Sequence, residues 1–145
     1  QGQVAKNPGD IDMQAQLVSF LYQRQDTEGV VKAFEAAPEA KWGNVILVYY
    51  YGIAQQVNGD LEASLATFER LQLEQPSFFL GSYRLAQMYD QLKHDKEKAL
   101  RSYRAVIAVS KAEAQAKHAA YMQIFDEMQR VARQRIAELE GRGGK

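Results

Sequence analysis

The chain has 145 residues, of which 46% are hydrophobic and 25% are charged. This length and composition predict one folded domain or a short repeat array, and they exclude a disordered tail and a membrane protein. Eighteen basic residues balance eighteen acidic residues, and no cysteine is present. We therefore expect no nucleic-acid partner, no disulfide and no thiolate metal site.

The first predicted repeat covers about residues 9–43. Leu17 and Phe34 mark its two helices, and Gln25-Asp26 provides the turn signal between them. Pro38 should end the second helix early, because proline cannot continue a helix. We therefore expect an irregular loop over 39–43, around Trp42.

The second predicted repeat covers about residues 44–77 and begins with an ambiguous run. Residues 45–51 are all apolar or aromatic, which is also typical of a buried β-strand. Asn44, however, stands where an N-cap would precede a helix. After the turn signal at 58–60, apolar residues recur at helical steps from Leu61 to Leu71. We predict that the run is a helix that neighbouring helices cover on nearly every side.

The third predicted repeat covers about residues 78–110. Its first helix carries one apolar stripe, formed by Tyr83, Leu85, Ala86 and Tyr89. Asp95 follows a turn signal at His94 and stands at the N-cap position of the second helix.

The C-terminal segment differs from the repeats. Residues 110–113 read Ser-Lys-Ala-Glu, a capping box that should start a helix, and no Gly, Pro or Asn follows before Gly141. We predict a single capping helix over about residues 111–140, roughly 45 Å long, followed by a disordered tail over 141–145. Its apolar stripe continues to Ile136 and Leu139, which should extend past the repeats.

Three kinds of landmark recur along the chain with a period of 34 or 35 residues. They are Asp26, Asp60 and Asp95; Leu17, Tyr51 and Leu85; and Phe34, Phe68 and Tyr103. The one extra residue of the third repeat falls between Tyr89 and Asp95, and we place it in the turn between the two helices. A fixed period of this length is the signature of a repeat array.

With this period the chain resembles the tetratricopeptide repeat (TPR) family, whose helix-turn-helix pattern is W-x2-L-G-x2-Y, then A-x3-F, then P. Residues that match the pattern are Gly52, Phe68 and Pro76 in the second repeat and Leu85, Tyr89 and Ala99 in the third. The resemblance covers roughly residues 8–109. It implies an all-α, right-handed α-solenoid of about three repeats with a long C-terminal capping helix, in one domain over 1–140.

Residues without bulk account for part of this pattern. Gly52 and Ala86 should let the second helix of each repeat approach closely, with Ser64 or Ala99 facing them. The aromatic residues at the phenylalanine position should then fill the space between successive repeats.

In TPR proteins the first helix of each repeat lines a concave groove. The positions that this resemblance carries into the groove are Ser19, Tyr22, Gln23, Ile46, Tyr49, Tyr50, Ile53, Leu80, Tyr83, Arg84, Gln87 and Gln91. Tyrosine offers rigid contact area with a polar tip, and glutamine can pair with an extended backbone, so this lining predicts a peptide or a partner helix as ligand. The alternative is that the aliphatic members and some tyrosines only pack between repeats.

Catalytic chemistry has little support in the sequence. His94 falls in a turn and His118 on a predicted helix, and neither has a second ligand at metal-binding spacing. Phosphate-binding glycine loops and nucleophile elbows are absent from the sequence. We expect a protein that is not an enzyme and has no catalytic residues, no cofactor and no metal.

The sequence therefore predicts a non-catalytic scaffold or adaptor that binds a protein or peptide, with no nucleic acid and no membrane insertion. The alternative is a structural oligomerisation module, a weak homodimer formed through the C-terminal helix. Because the chain begins at Gln1 without a methionine, we expect a fragment of a longer protein. A soluble domain in the cytoplasm or periplasm fits, and the compartment stays open.

Overall fold

The structure is a computed structural model that describes residues 26–36 and 42–141. Within these ranges it is helical and contains no β-strand, which confirms the all-α class. Its α-helices are α1 (Thr27–Glu35), α2 (Val45–Val57), α3 (Leu61–Glu74), α4 (Phe79–Gln87), α5 (Lys96–Ala108), α6 (Lys111–Lys117) and α7 (Phe125–Leu139). A π-helical turn, Met88–Leu92, follows α4, and a 3-10 helix, Ala119–Ile124, precedes α7. The predictions for 9–25, for Pro38 and for the tail over 142–145 lie outside the described residues.

The chain divides into two compact units, Gln1–Phe68 and Glu69–Lys145, with the boundary inside α3. In the first unit, the ambiguous run is a helix, as predicted. Asn44 caps it, because its Oδ1 accepts the backbone N–H groups of Ile46 at 3.1 Å and Leu47 at 3.3 Å. The same kind of cap begins α1 and α3, at Asp26 and Asp60.

The core of the first unit contains the predicted close approach of two helices at Gly52. The hydroxyl of Ser64 on α3 donates to the carbonyl oxygen of Gly52 on α2 at 2.6 Å. A Cβ added at Gly52 would lie 2.6 Å from Cζ of Phe68, so the phenylalanine ring occupies the space that a side chain would need. Gln55 and Thr67 join the same two helices through a buried hydrogen bond of 2.5 Å.

In the second unit, the place where we predicted the extra residue of the third repeat overlaps a helical turn. Our prediction put it in the loop before Asp95, but the segment Met88–Leu92 is π-helical. The N–H of Lys93 donates to the carbonyl oxygen of Met88, five residues earlier, at 3.0 Å. A π turn takes up one residue more than an α turn. A π turn here accommodates the one-residue excess that the repeat period predicts, and Asp90 within the turn is buried.

The C-terminal segment is not one continuous helix, so the prediction of a single helix over 111–140 is wrong. Ser110 caps α6 as expected, but the backbone leaves the helical region at His118, with φ −138° and ψ 44°. The His118 ring is held in the core, 5.1 Å from the Phe78 ring and with Nε2 3.0 Å from Oγ of Ser77. The helix thus breaks at a residue that no glycine or proline marks, and tertiary contacts hold the side chain at the break.

Helix α7 packs against α5 within the second unit. The amide of Gln129 donates to the carbonyl oxygen of Val106 at 2.8 Å and so fastens α7 to the end of α5. Ile136 is only 5% exposed. The prediction that it would extend past the repeats is therefore wrong, while Leu139 is half-buried. The apolar stripe of α7 is used inside its own unit.

Candidate functional site

In the first unit, the predicted groove residues of α2 differ in exposure. Ile46, Tyr49 and Tyr50 are half-buried, whereas Ile53 is 5% exposed and belongs to the core. The Tyr49 ring contacts the Phe68 ring edge-on, with centroids 5.9 Å apart. Ser19, Tyr22 and Gln23, the groove residues predicted for the first repeat, lie outside the described residues. Tyr49 thus serves both the core and the surface.

In the second unit, the face of α4 that we predicted to bind a partner is partly open to solvent. Tyr83, Arg84 and Gln87 are half-buried and Gln91 is exposed. Leu80 is only 6% exposed, so it belongs to the core and not to an open groove. Because Gln91 lies in the π turn, it does not continue the ideal α-helical register of the other positions.

The Tyr83 ring packs against another ring, and its hydroxyl makes no hydrogen bond to a described residue. Its ring meets the Tyr103 ring edge-on at 6.3 Å. Burial, and secondarily the carboxylate of Glu127, raises the pKa of Tyr83 above its ordinary value of 10.0. The hydroxyl therefore stays neutral, and it has no hydrogen-bond partner among the described residues. It can donate to or accept from an incoming group.

Sequence reasoning missed a buried polar network at the π turn. Asp90 accepts two hydrogen bonds from Arg135 of α7, at 2.6 Å to Oδ2 and 2.9 Å to Oδ1, and one from the Tyr103 hydroxyl at 2.9 Å. Hydrogen bonding by Arg135 lowers the pKa of the Asp90 carboxyl below 3.8. The only sequence signal was the one-residue excess of the third repeat, which by itself does not reveal which side chain turns inward.

Ser77 and His118 have the spacing of a nucleophile and base, but their setting is structural. Both side chains are buried, and the His118 ring lies between the aromatic rings of Phe78 and Phe79. Burial, with a smaller effect of Lys117, lowers the pKa of the His118 imidazole below its ordinary value of 6.5. Both groups are therefore largely shielded from solvent.

Neither a metal site nor a membrane-spanning helix is present among the residues that the structure describes. No group of three or more His, Asp or Glu side chains there is placed to hold a metal ion. None of the helices in the same ranges is long and apolar enough to span a membrane.

Comparison of the chain with protein-family models, with curated proteins and with solved structures found no match. The resemblance to TPR proteins therefore stays a prediction from the sequence.

Proposed function

We propose that the chain is a TPR-like, non-catalytic interaction module that binds a peptide or a partner helix on the exposed face of α4. The observation that carries the proposal is Tyr83, a half-buried ring whose hydroxyl is unused, with Arg84 and Gln87 half-buried beside it. Tyrosine, a rigid ring with a polar tip, is among the side chains that are enriched at protein interfaces.

The helix pairs of the second and third repeats support the TPR-like part of the proposal. Each pair places a buried residue without bulk, Gly52 or Ala86, in its first helix. Each pair also places a buried aromatic residue, Phe68 or Tyr103, in its second helix. These are the small and aromatic positions of the repeat pattern. A repeat array of this kind binds through surfaces and needs no catalytic group.

Of the three tyrosines Tyr83, Tyr89 and Tyr103, two are core residues and one is accessible to a partner. Tyr103 is buried and its hydroxyl is committed to Asp90, and Tyr89 is 4% exposed. Tyr83 alone of these three is half-exposed. A partner that docks on α4 would therefore contact Tyr83 and leave the other two rings unchanged.

Site-directed photo-crosslinking in a native lysate tests this function. A photoreactive residue at Gln87 should capture a defined partner, and the same residue at Leu73, which is 81% exposed, is the matched control. Tyr83→Ala should weaken the captured complex by about 2 kcal/mol or more, roughly 30-fold, if the ring is an anchor. Tyr83→Phe isolates the contribution of the hydroxyl.

Two results would refute the proposal. Equal capture from Leu73 would show that the crosslinks are unspecific. Normal binding by a folded Tyr83→Ala protein would show that the face of α4 is not the binding surface. Circular dichroism supplies the folding control.

A further inference from the structure

The neutral chain is strongly polarised in charge. Residues 1–68 contain 4 basic and 8 acidic residues, whereas residues 69–145 contain 14 basic and 10 acidic residues. The first unit therefore has a net charge of −4 and the second a net charge of +4 at neutral pH. A balanced total conceals a basic C-terminal half.

The basic residues of the second unit concentrate on and before helix α5. Five cationic residues in a stretch of 12 are exposed there: Lys93, Lys96, Lys98, Arg101 and Arg104. Two acidic residues, Asp95 and Glu97, lie in the same stretch. The Asp95 carboxylate is already used, because it caps α5 by accepting the Lys98 N–H at 3.1 Å.

This face carries a depression of about 630 Å³, lined by Asp95, Glu97, Lys98, Leu100, Arg101 and Arg104. Leu100 is buried and gives the depression an apolar floor. Arg104 pairs with Glu140, and the Lys98 ammonium lies 5.4 Å from the centre of the Tyr89 ring. Arg101 is exposed and forms no ion pair with a described carboxylate.

We propose that this face of α5 binds an acidic peptide segment, with Arg101 and Lys98 holding its carboxylates. A guanidinium without a partner can take a carboxylate in a bidentate pair, and the apolar floor can take the methylene groups of a glutamate. The surface is separate from the face of α4, so this binding does not depend on the function proposed above.

The charges of the depression favour a peptide over a nucleic acid. Asp95 and Glu97 line it beside the cations, and they would repel the closely spaced phosphates of a polynucleotide backbone. A peptide can place isolated carboxylates at Arg101 and Lys98 and present uncharged atoms to the two acidic groups. The affinity should fall as salt is added, because the cations are exposed.

Fluorescence anisotropy with a labelled glutamate peptide tests the proposal on the whole chain. Helix α5 has 13 residues, a length of about 20 Å, so an extended peptide of about six residues spans it. The comparison probes are a lysine peptide and a single-stranded oligonucleotide of equal length. The protein variants are Arg101→Glu and Arg133→Glu, which change the net charge equally at exposed positions of α5 and α7.

We expect the glutamate peptide to bind and the lysine peptide not to bind. Arg101→Glu should weaken glutamate binding by about tenfold, or 1.4 kcal/mol, and Arg133→Glu by less than about twofold. Tyr83→Ala should leave it unchanged, which separates this surface from α4. The proposal is overturned if the glutamate peptide fails to bind, if both charge reversals weaken binding equally, or if the oligonucleotide binds more tightly than the peptide.

Discussion

The contact between Gly52 and the Phe68 ring allows one substitution to decide between two opposed effects. Gly52→Ala adds a single methyl group inside α2. Helix propensity alone would stabilise the protein by about 1 kcal/mol, because glycine is the poorer helix former. The added Cβ, however, would lie 2.6 Å and 2.7 Å from two carbons of the Phe68 ring, where 3.4 Å is the lower limit of ordinary contact.

Relief of this overlap requires a movement of about 0.8 Å, the difference between 3.4 Å and 2.6 Å. The Phe68 ring is fully buried, so it cannot swing into solvent. Overpacking of a core costs about 1–3 kcal/mol, which exceeds the gain in propensity at most of that range. We expect Gly52→Ala to lower the free energy of unfolding by about 1 kcal/mol and the melting temperature by about 3 °C.

A double-mutant cycle with Phe68→Leu supplies the assay, read out by urea denaturation. The smaller leucine should make room for the added methyl, so the paired substitutions should be less destabilising than the sum of the single ones, by about 1 kcal/mol. Gly81→Ala is the comparison, because its added Cβ would meet a methyl group of the buried Leu71 at 2.8 Å and not the edge of an aromatic ring. A stabilised Gly52→Ala protein, or additivity within about 0.5 kcal/mol, would refute the reasoning.

Three further predictions concern the second unit. Arg135→Ala leaves the buried carboxylate of Asp90 without its bidentate partner. It should lower the free energy of unfolding, measured by urea denaturation, by about 1–3 kcal/mol, a moderate loss because the arginine is 37% exposed and solvent screening weakens the pair. The control Arg133→Ala should cost under about 0.5 kcal/mol, and an equal loss from both variants would argue against the network. Because the pKa of His118 is lowered in the folded protein, its stabilising effect is present above pH 6.5 and is lost as the pH falls from 6.5 through the folded pKa. The melting temperature of His118→Asn should therefore fall less steeply with decreasing pH than that of the wild type, and an equal pH dependence would contradict this. Sedimentation should find a monomeric wild type. The Ile136→Glu variant should lose helix content, because the Ile136 side chain is buried. A wild-type dimer that Ile136→Glu converts to a folded monomer would instead support the oligomerisation hypothesis.

Local signals in the sequence predicted the helices well where caps and periodicity agreed. Asn44, Asp95 and Ser110 were each identified as caps, and each accepts a backbone N–H in the structure. The match to the repeat pattern also predicted that Gly52 lies against the following helix, α3, as it does. These features depend on residues close in sequence or one period apart, so a pattern can reveal them.

The features that escaped prediction depend on contacts between distant residues. The break at His118 follows from packing against Phe78, 40 positions earlier in the chain, and no turn residue marks it. The burial of Leu80 and Ile53 likewise depends on which neighbours cover each helix face. Hydrophobic periodicity identifies the apolar face of a helix, but it does not distinguish a face that packs in the core from one that binds a partner.

The π turn at Met88–Leu92 distinguishes the third predicted repeat from the second. By the repeat period, the second repeat has Gln56 where the third has Asp90, and Phe68 where the third has Tyr103. The second repeat therefore lacks both the carboxylate that receives Arg135 and the hydroxyl that supports it. An exchange of the two predicted repeats would take the Asp90 carboxylate away from Arg135 and leave it only Glu138 of its own helix. In terms of the predicted repeats, the second could not replace the third without loss of the Arg135–Asp90 pair, so the predicted order of the repeats matters for how α7 is held.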